Sequence, residues 1–119
     1  MKYLIMIYSN PASRAAWAGF DDEQRRAGYA AHEALRAEMA ASGELVGAEA
    51  LGQPESARIV AVRGGRAQVT DGPFAEVKEH LAGYYLVECD SIDRAVELAG
   101  RVPEAEFVTI EVRPVVSLR

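Results

Sequence analysis

Two segments of the chain are apolar on both sides when they are read as β-strands. In Lys2–Tyr8 and in Gly83–Cys89 the alternating side chains are apolar at nearly every position. A strand with two apolar faces lies inside its sheet and is covered on both sides, because each face must leave water. The alternating sets are Tyr3, Ile5 and Ile7 against Leu4, Met6 and Tyr8, and Tyr84, Leu86 and Glu88 against Tyr85, Val87 and Cys89.

Two other segments show the 3.6-residue spacing of amphipathic helices. We predict the first over Asp22–Ala41, with an aspartate to accept the free backbone N–H groups at its start and Gly43 after its end. We predict the second between a cap at Asp90 or Ser91 and a stop at Gly100. The apolar stripes are Gly28, Ala31, Leu35 and Met39 in the first helix, and Ile92, Ala95, Val96 and Ala99 in the second.

The remaining segments complete an alternating order of strands and helices. Two glycines, Gly64 and Gly65, separate two segments in which apolar and polar residues alternate. This pattern predicts a β-hairpin that turns at Gly64-Gly65. The predicted elements are a loop at residues 9–19, a short strand at 44–51, the hairpin at 57–72 and a last strand at 107–115.

This order indicates a single α+β domain over residues 1–119, with a ferredoxin-like antiparallel sheet, two helices on one face and an inserted β-hairpin. Two helices cover one face of such a sheet and leave the other face without a cover. Because the two central strands have no polar face, a second copy of the same sheet is the simplest cover. We therefore expect a homodimer packed sheet to sheet.

Charge and composition narrow the classes of partner. The 119-residue chain has a net charge of −5 and no basic cluster longer than Arg25-Arg26, so a nucleic-acid backbone is repelled on average. The apolar start "YLIMIY" is too short for a signal-peptide core or a membrane span. With the single cysteine, Cys89, these features predict a cytoplasmic protein that binds neither nucleic acid nor membrane.

A block of ionisable groups between two predicted strands carries a family resemblance. It reads Asp71-Gly72-Pro73-Phe74, then Glu76, Lys78-Glu79 and the strand start Gly83-Tyr84-Tyr85. With the opening "MKYLIMIY", the helix "SIDRAVELAGRVP" and the closing "EVRP", the chain resembles the DGPF branch of the YCII-related family over nearly its whole length. The resemblance implies a ferredoxin-like fold of the dimeric α/β-barrel superfamily and a cavity between helices and sheet or between subunits. It implies no particular reaction, but it does imply a neighbourhood of extracytoplasmic-function sigma factors.

The candidate catalytic residues are Asp71 and His32. Gly72 and Pro73 make a rigid turn after Asp71, which is either a purely structural turn with Phe74 in the core or a support for a carboxylate at the mouth of a cavity. His32 falls on or beside the apolar stripe of the first helix. The family resemblance suggests that a helix histidine pairs with an aspartate, here His32 with Asp71. The alternative is a half-buried histidine with one hydrogen bond.

The charged residues after the turn are candidates for binding. Glu76, Lys78, Glu79 and His80 are spaced to form one helical turn, either as a salt-bridged lid over a cavity or as a tie between two subunits. The set lacks a third well-spaced metal ligand, so we expect no metal and no cofactor. The candidate binding residues are Lys78, Glu76, Glu79, Arg113 and Tyr8, with Lys78 or Arg113 as the anchor of an anionic substrate.

Two functions stay open at this point. One is a small-molecule enzyme with acid/base chemistry, in which Asp71 is the base and His32 its partner. The other is a non-catalytic, ligand-binding or regulatory dimer associated with sigma-factor control, since the chain carries no P-loop, dinucleotide fingerprint or serine triad order.

Overall fold

The computed structural model describes residues 1–74 and 76–118 of the chain. Four strands form one antiparallel sheet in the order β2-β5-β1-β6, which confirms the predicted α+β class and the ferredoxin-like arrangement. The strands are β1 (Lys2–Ser9), β2 (Leu45–Ala50), β3 (Arg58–Arg63), β4 (Arg66–Asp71), β5 (His80–Glu88) and β6 (Ile110–Pro114). The helices are α1 (Pro11–Ala18), α2 (Asp22–Ala41) and α3 (Ile92–Ala99), with short 3₁₀ helices at Pro54–Ser56 and Pro103–Glu106.

The two strands with two apolar faces, β1 and β5, are the central strands of the sheet. Tyr3 pairs with Val87 and Ile5 pairs with Tyr85 across them. These side chains face α2 and α3, and burial of their apolar surface is the main source of stability in such a core. The core also includes Ile7, Leu35, Met39, Ala48, Ala95, Leu98 and Val102.

The alternate residues of the same strands lie on the opposite side of the sheet, which we call the open face. Leu4 pairs with Leu86 and Met6 pairs with Tyr84. Because successive side chains of a strand point to opposite faces, these four residues are turned away from α2 and α3. The open face is therefore an apolar centre, with charged residues on the outer strands at Glu49, Glu111 and Arg113.

Helix α2 begins and ends where the sequence predicts. Asp21 accepts a hydrogen bond from the backbone N–H of Gln24, whose side chain bonds back to Asp21, so a capping box starts the helix. Leu35 and Met39 are buried against the sheet. Although α2 is 20 residues long, neither it nor any other helix among residues 1–74 and 76–118 is apolar enough to cross a bilayer.

Helix α3 has the predicted bounds, but its buried stripe is rotated. Ser91 caps the helix, and Ala95, Leu98 and Ala99 are buried. Ile92 and Val96, which the spacing places in the stripe, are 44% and 54% exposed. This part of the prediction is wrong because α3 overhangs β6, the edge strand of the sheet, and no further strand among residues 1–74 and 76–118 lies beneath its outer side.

The predicted loop at residues 9–19 is also wrong, because residues 11–18 form α1. The Asn10 side chain accepts from the Ser13 N–H at 2.8 Å, and the Ser13 hydroxyl accepts from the Asn10 N–H at 2.9 Å. Pro11 is the first residue of the helix, where its missing N–H has no cost. The short helix places Trp17 against Gly28 of α2, where a Cβ atom would lie 3.3 Å from the indole ring.

The helical turn predicted for residues 76–80 does not form. Residues 77–79 have no regular structure, and His80 is the first residue of β5, where it pairs with Ser9 of β1. Pairing in the central sheet satisfies backbone groups that a single isolated turn would leave to water, so the strand begins three residues before the predicted one.

The hairpin of β3 and β4 forms a separate two-stranded sheet, which we call the arm (Arg58–Asp71). It turns at Gly64 and Gly65, as predicted, with φ angles of 58° and 76° that suit glycine. All six residues of β4 are exposed. The radius of gyration of the chain is 16.4 Å, compared with about 13.5 Å for a compact domain of this length. The arm therefore projects from the rest of the chain.

One ion pair ties the start of β2 to α3. The Arg94 guanidinium donates to both carboxylate oxygens of Glu44 at 2.9 Å, and the Ser42 hydroxyl donates to the same carboxylate at 2.8 Å. Hydrogen bonds from Arg94 and Ser42 lower the pKa of Glu44 from 4.5 to about 2. The Glu44 carboxylate is therefore ionised more readily in the folded chain than in the unfolded chain.

We predict that Leu98→Ala lowers the free energy of unfolding by about 2–5 kcal/mol, because it opens a cavity in the core beneath α3. Leu98 is 1% exposed, whereas Leu118 is 98% exposed, so the same change at Leu118 is the matched control and should have almost no effect. Urea unfolding followed by circular dichroism measures both. Equal losses in the two variants would contradict the assigned core.

We predict that the stability difference between wild type and Glu44→Gln depends on pH. Since the folded pKa of Glu44 is depressed, its contribution is fully present above about pH 4.5 and is lost as the pH falls towards about 2. Arg94→Gln removes the same ion pair and should show the same profile. Thermal unfolding between pH 7 and pH 2 checks this, and a difference that stays constant over that range would contradict the assignment.

Candidate functional site

A large cleft lies between the helix layer and the ends of the central strands. Its volume is about 1030 Å³, and it is open to solvent on one side. Aromatic and aliphatic side chains line most of it, which is typical of a site for a small organic ligand. Its lining includes Trp17, Phe20, Tyr29, Leu51, Leu81 and Phe107.

His32 stands in this cleft with both of its ring nitrogens hydrogen bonded. Helix α2 holds it above β5, where its Nδ1 atom lies 2.7 Å from the Tyr85 hydroxyl. Its Nε2 atom lies 2.5 Å from a carboxylate oxygen of Glu104, in the 3₁₀ helix Pro103–Glu106. The His32 and Glu104 side chains are 31% and 39% exposed, so the row Glu104–His32–Tyr85 runs from the cleft into the core.

The partners of His32 determine which ring nitrogen carries the proton. An ionised carboxylate only accepts hydrogen bonds, so Nε2 of the neutral ring is the N–H group and donates to Glu104. Nδ1 then accepts from the Tyr85 O–H. When the ring is protonated, Nδ1 donates to the Tyr85 oxygen instead. The Tyr85 hydroxyl then turns to donate its hydrogen bond to another acceptor, such as the His32 carbonyl oxygen at 3.5 Å.

Tyr85 is the most buried member of the row, and it also lines the cleft. Burial raises its pKa to about 12, and the nearby Glu104 carboxylate contributes to the rise. The hydroxyl group is therefore neutral at physiological pH and can donate a proton or a hydrogen bond. Loss of its proton near neutral pH is therefore unfavourable.

Arg36 brings a positive charge to the same cleft. It lies one helical turn after His32 on α2, and its charge opposes the rise in the Tyr85 pKa, so its electrostatic influence reaches the row. Among the described residues it makes no ion pair or side-chain hydrogen bond. Arg14 also lines the cleft, but its guanidinium donates to the Ser9 hydroxyl and to the Lys78 carbonyl oxygen.

Asp71 is located at the end of the arm, not beside His32. Its side chain is 90% exposed and pairs with Arg58 at 3.5 Å. The turn is well supported, because the Gly72 N–H donates to the Ala57 carbonyl and a Cβ at Gly72 would lie 2.9 Å from Ala57. Phe74, however, is exposed and not part of the core. Within the chain, therefore, the structure gives His32 the carboxylate of Glu104 as its partner.

The predicted binding residues do not form one cluster. Glu76, Lys78 and Glu79 are exposed in the segment before β5. The Tyr8 hydroxyl donates to Glu111 at 3.1 Å, and burial together with this carboxylate raises the pKa of Tyr8. Arg113 pairs in register with Leu4, on the open face. The described residues contain no group of three or more His, Cys, Asp or Glu side chains able to hold a metal ion.

Three residues of the site were not predicted: Tyr85, Glu104 and Arg36. Tyr85 had a usable signal, since a hydroxyl on the inward face of a central strand must find a partner there. Arg36 also had one, because it is one turn from His32 on the same helix. Glu104 had none, because it belongs to a 3₁₀ helix without periodicity, 72 residues from His32 in the chain.

The sequence of the chain matches a known protein family along its length. The model of the YCII-related domain matches residues 1–119. A relative from Rhizobium meliloti (strain 1021), described as an uncharacterised protein, is 32% identical over 116 residues, which are 96% of this chain and 91% of the relative. Since the match extends over the whole length, the chain belongs to the YCII-related family.

Proposed function

We propose that the chain forms a homodimer in which each subunit binds a small organic anion in the cleft and acts on it by acid/base chemistry. The observation that carries this proposal is the hydrogen-bonded row Glu104–His32–Tyr85 at the cleft. A carboxylate that orients an imidazole, which in turn contacts a hydroxyl, is a common arrangement for moving protons. In this proposal Glu104, and not Asp71, is the carboxylate partner of His32.

The row can transfer one proton without forming a tyrosinate. In its protonated form, His32 donates from Nε2 to Glu104 and from Nδ1 to the Tyr85 oxygen, which leaves the Tyr85 proton free to point at a ligand. As the ligand takes that proton, the Nδ1 proton passes to the Tyr85 oxygen and neutral His32 remains. The reverse sequence removes a proton from the ligand. The raised pKa of Tyr85 agrees with a hydroxyl that only relays protons.

The surroundings of the row favour an anionic ligand with an apolar body. The positive charge of Arg36 has no partner among the described side chains, so it is available to a carboxylate or a similar group. This replaces Lys78 and Arg113 as the proposed anchor. The apolar lining of Trp17 and Phe20 suits the rest of such a molecule.

The proposed homodimer is supported by the amount of surface that one chain exposes. The accessible area is 8264 Å², compared with about 6300 Å² for a compact monomer of this mass. The excess of about 2000 Å² lies within the range of about 1000–2500 Å² that one subunit buries in an obligate homodimer. The open face, with Leu4, Met6, Tyr84 and Leu86, offers the apolar centre for sheet-to-sheet packing. A reducing compartment such as the cytoplasm suits the single buried cysteine.

A second candidate is a non-catalytic ligand-binding or regulatory dimer, associated with sigma-factor control as the family resemblance implies. One observation favours it: both ring nitrogens of neutral His32 have partners inside the subunit, so the row is complete without a ligand. In this case the same cleft binds a ligand, and the row only holds α2 against the sheet.

We predict that small carboxylic acids raise the melting temperature of the protein and that Arg36→Gln removes this effect. The test is a thermal-shift screen of aromatic and aliphatic carboxylates, with the corresponding amides as neutral controls. Arg113→Gln is the matched protein control, since Arg113 lies on the open face. Equal shifts by acids and amides, or retention of the shifts in Arg36→Gln, would contradict the assignment of Arg36.

We predict that a ligand found in this way exchanges carbon-bound hydrogen or is converted in D2O, as followed by proton NMR. His32→Ala and Tyr85→Phe should slow this by about 10²–10⁴-fold, the usual contribution of a positioned acid or base. Asp71→Asn should leave the rate close to that of wild type. Loss of the reaction in Asp71→Asn alone would refute the proposed row, and binding without any exchange would favour the regulatory candidate.

We predict a dimer of two 12.9 kDa chains in sedimentation equilibrium at micromolar concentration, and a monomer for Leu86→Lys. The charge on the open face would have to be buried without a partner in the dimer. Leu118→Lys is the matched control, because Leu118 is almost fully exposed. A monomeric wild type would contradict the proposed assembly.

A further inference from the structure

We propose that the arm of one subunit docks into a groove between α3 and β6 of a second copy of this chain, so that two copies exchange their arms. The groove has a volume of about 440 Å³. Its lining includes Ile92, Val96, Ala105, Val108, Ile110 and Val112.

The arm has an apolar face that its own subunit leaves uncovered. In the β3–β4 register, Val60 pairs with Val69 and Val62 pairs with Ala67, so these four side chains share one face. Val60, Val62 and Val69 are each more than 60% exposed. An isolated two-stranded hairpin in water is marginally stable, so this face needs a cover to hold the arm in one conformation.

The groove lacks the element that would fill it. β6 pairs with β1 on one side only, so its outer edge presents backbone N–H and C=O groups to solvent. Above this edge, the exposed side chains of Ile92 and Val96 of α3 line the groove, and no described residue fills the space beneath them. A strand added at the edge of β6 would therefore meet hydrogen-bonding groups on one side and apolar side chains above.

The arm matches the groove in strand length, in its free backbone edges and in charge. Its strands have six residues each and β6 has five, and each arm strand also has a free edge. The arm carries three arginines and one aspartate, a net charge of +2, so the rest of the −5 chain carries −7. This difference in sign favours contact between the arm of one copy and the rest of the other, where the carboxylates of Asp93 and Glu106 are exposed next to the groove residues Ile92 and Ala105.

The order of the strands makes a reciprocal exchange possible. The arm follows β2, at one edge of the sheet, and the groove lies beside β6, at the other edge. When two sheets pack through their open faces about a two-fold axis parallel to the strands, β2 of one copy lies over β6 of the other. Each arm then starts at the edge where its partner's groove lies, and the two arms close both sides of the stacked sheets.

Arm docking also reaches the cleft. Val108 lines both the groove and the cleft, and it lies two residues after the 3₁₀ helix Pro103–Glu106 that carries Glu104. The Val108 N–H donates to the Glu104 carbonyl at 3.0 Å. An arm packed on Val108 therefore steadies, from the second copy, the backbone that presents the Glu104 carboxylate to His32.

This inference rests on the proposed homodimer, so the experiment uses variants that separate the two. Val62→Asp places a carboxylate on the apolar face of the arm. Gln68→Asp, the matched control, places it on the opposite face of the same hairpin, because Gln68 pairs with Ala61. In sedimentation equilibrium we expect Val62→Asp to weaken the dimer about tenfold or more and Gln68→Asp to weaken it much less. Both positions are exposed in the subunit, so neither change should unfold it.

Site-directed cross-linking gives the position of the arm directly. In a Cys89→Ala background, a Val62→Cys chain is mixed with a Val96→Cys chain and oxidised. We expect a covalent dimer that contains one chain of each kind, and a much lower yield when Gln68→Cys replaces Val62→Cys.

The other outcomes count against the inference. If Leu86→Lys dissociates the dimer while Val62→Asp and Gln68→Asp behave alike, the sheet-to-sheet dimer stands and arm exchange is wrong. If the wild-type protein is a monomer, both are wrong. If Gln68→Cys cross-links to Val96→Cys as well as Val62→Cys does, the arm docks through a different face and the proposal is overturned.

Discussion

The hydrogen bond between His32 and Tyr85 connects the helix layer to the central strand of the sheet, and the site depends on it. The two atoms are 2.7 Å apart, and Tyr85 is 4% exposed. A buried hydroxyl without a partner would cost about 1–3 kcal/mol, so this contact fixes how α2 lies over β5. With α2 in that position, His32 also reaches Glu104, and Arg36 is brought to the cleft one turn later.

Strand β5 also contributes side chains to the open face of the sheet. While Tyr85 points into the core, its neighbours Tyr84 and Leu86 point to the open face. β5 thus supplies the most buried member of the polar row and the centre of the proposed interface, because alternate residues of one strand serve two surfaces. A change in register by one residue would exchange the two sets and destroy both. Site and proposed assembly are therefore linked through β5.

Most of the fold could be predicted, because its signals are local. Two-sided apolar alternation identified β1 and β5, helical spacing with caps identified α2, and the glycine pair identified the turn of the arm. The helix α1 was missed because a capping asparagine before a proline also starts many loops. The buried stripe of α3 was misplaced because only the strand order shows that Val96 overhangs the edge of the sheet.

The site could be predicted only in part, because its contacts join residues that are far apart in sequence. His32 was found from its position on the helix, but its carboxylate was sought in the conspicuous Asp71 turn and not in a 3₁₀ helix near the C-terminus.

The protonation of His32 tests the proposed row most directly. With only two histidines in the chain, nitrogen-15 NMR of the wild type and of His80→Gln assigns the ring signals without ambiguity. We predict that neutral His32 carries its proton on Nε2, with Nδ1 unprotonated, and that Glu104→Gln alters this preference. A neutral ring protonated on Nδ1, unchanged by Glu104→Gln, would contradict it.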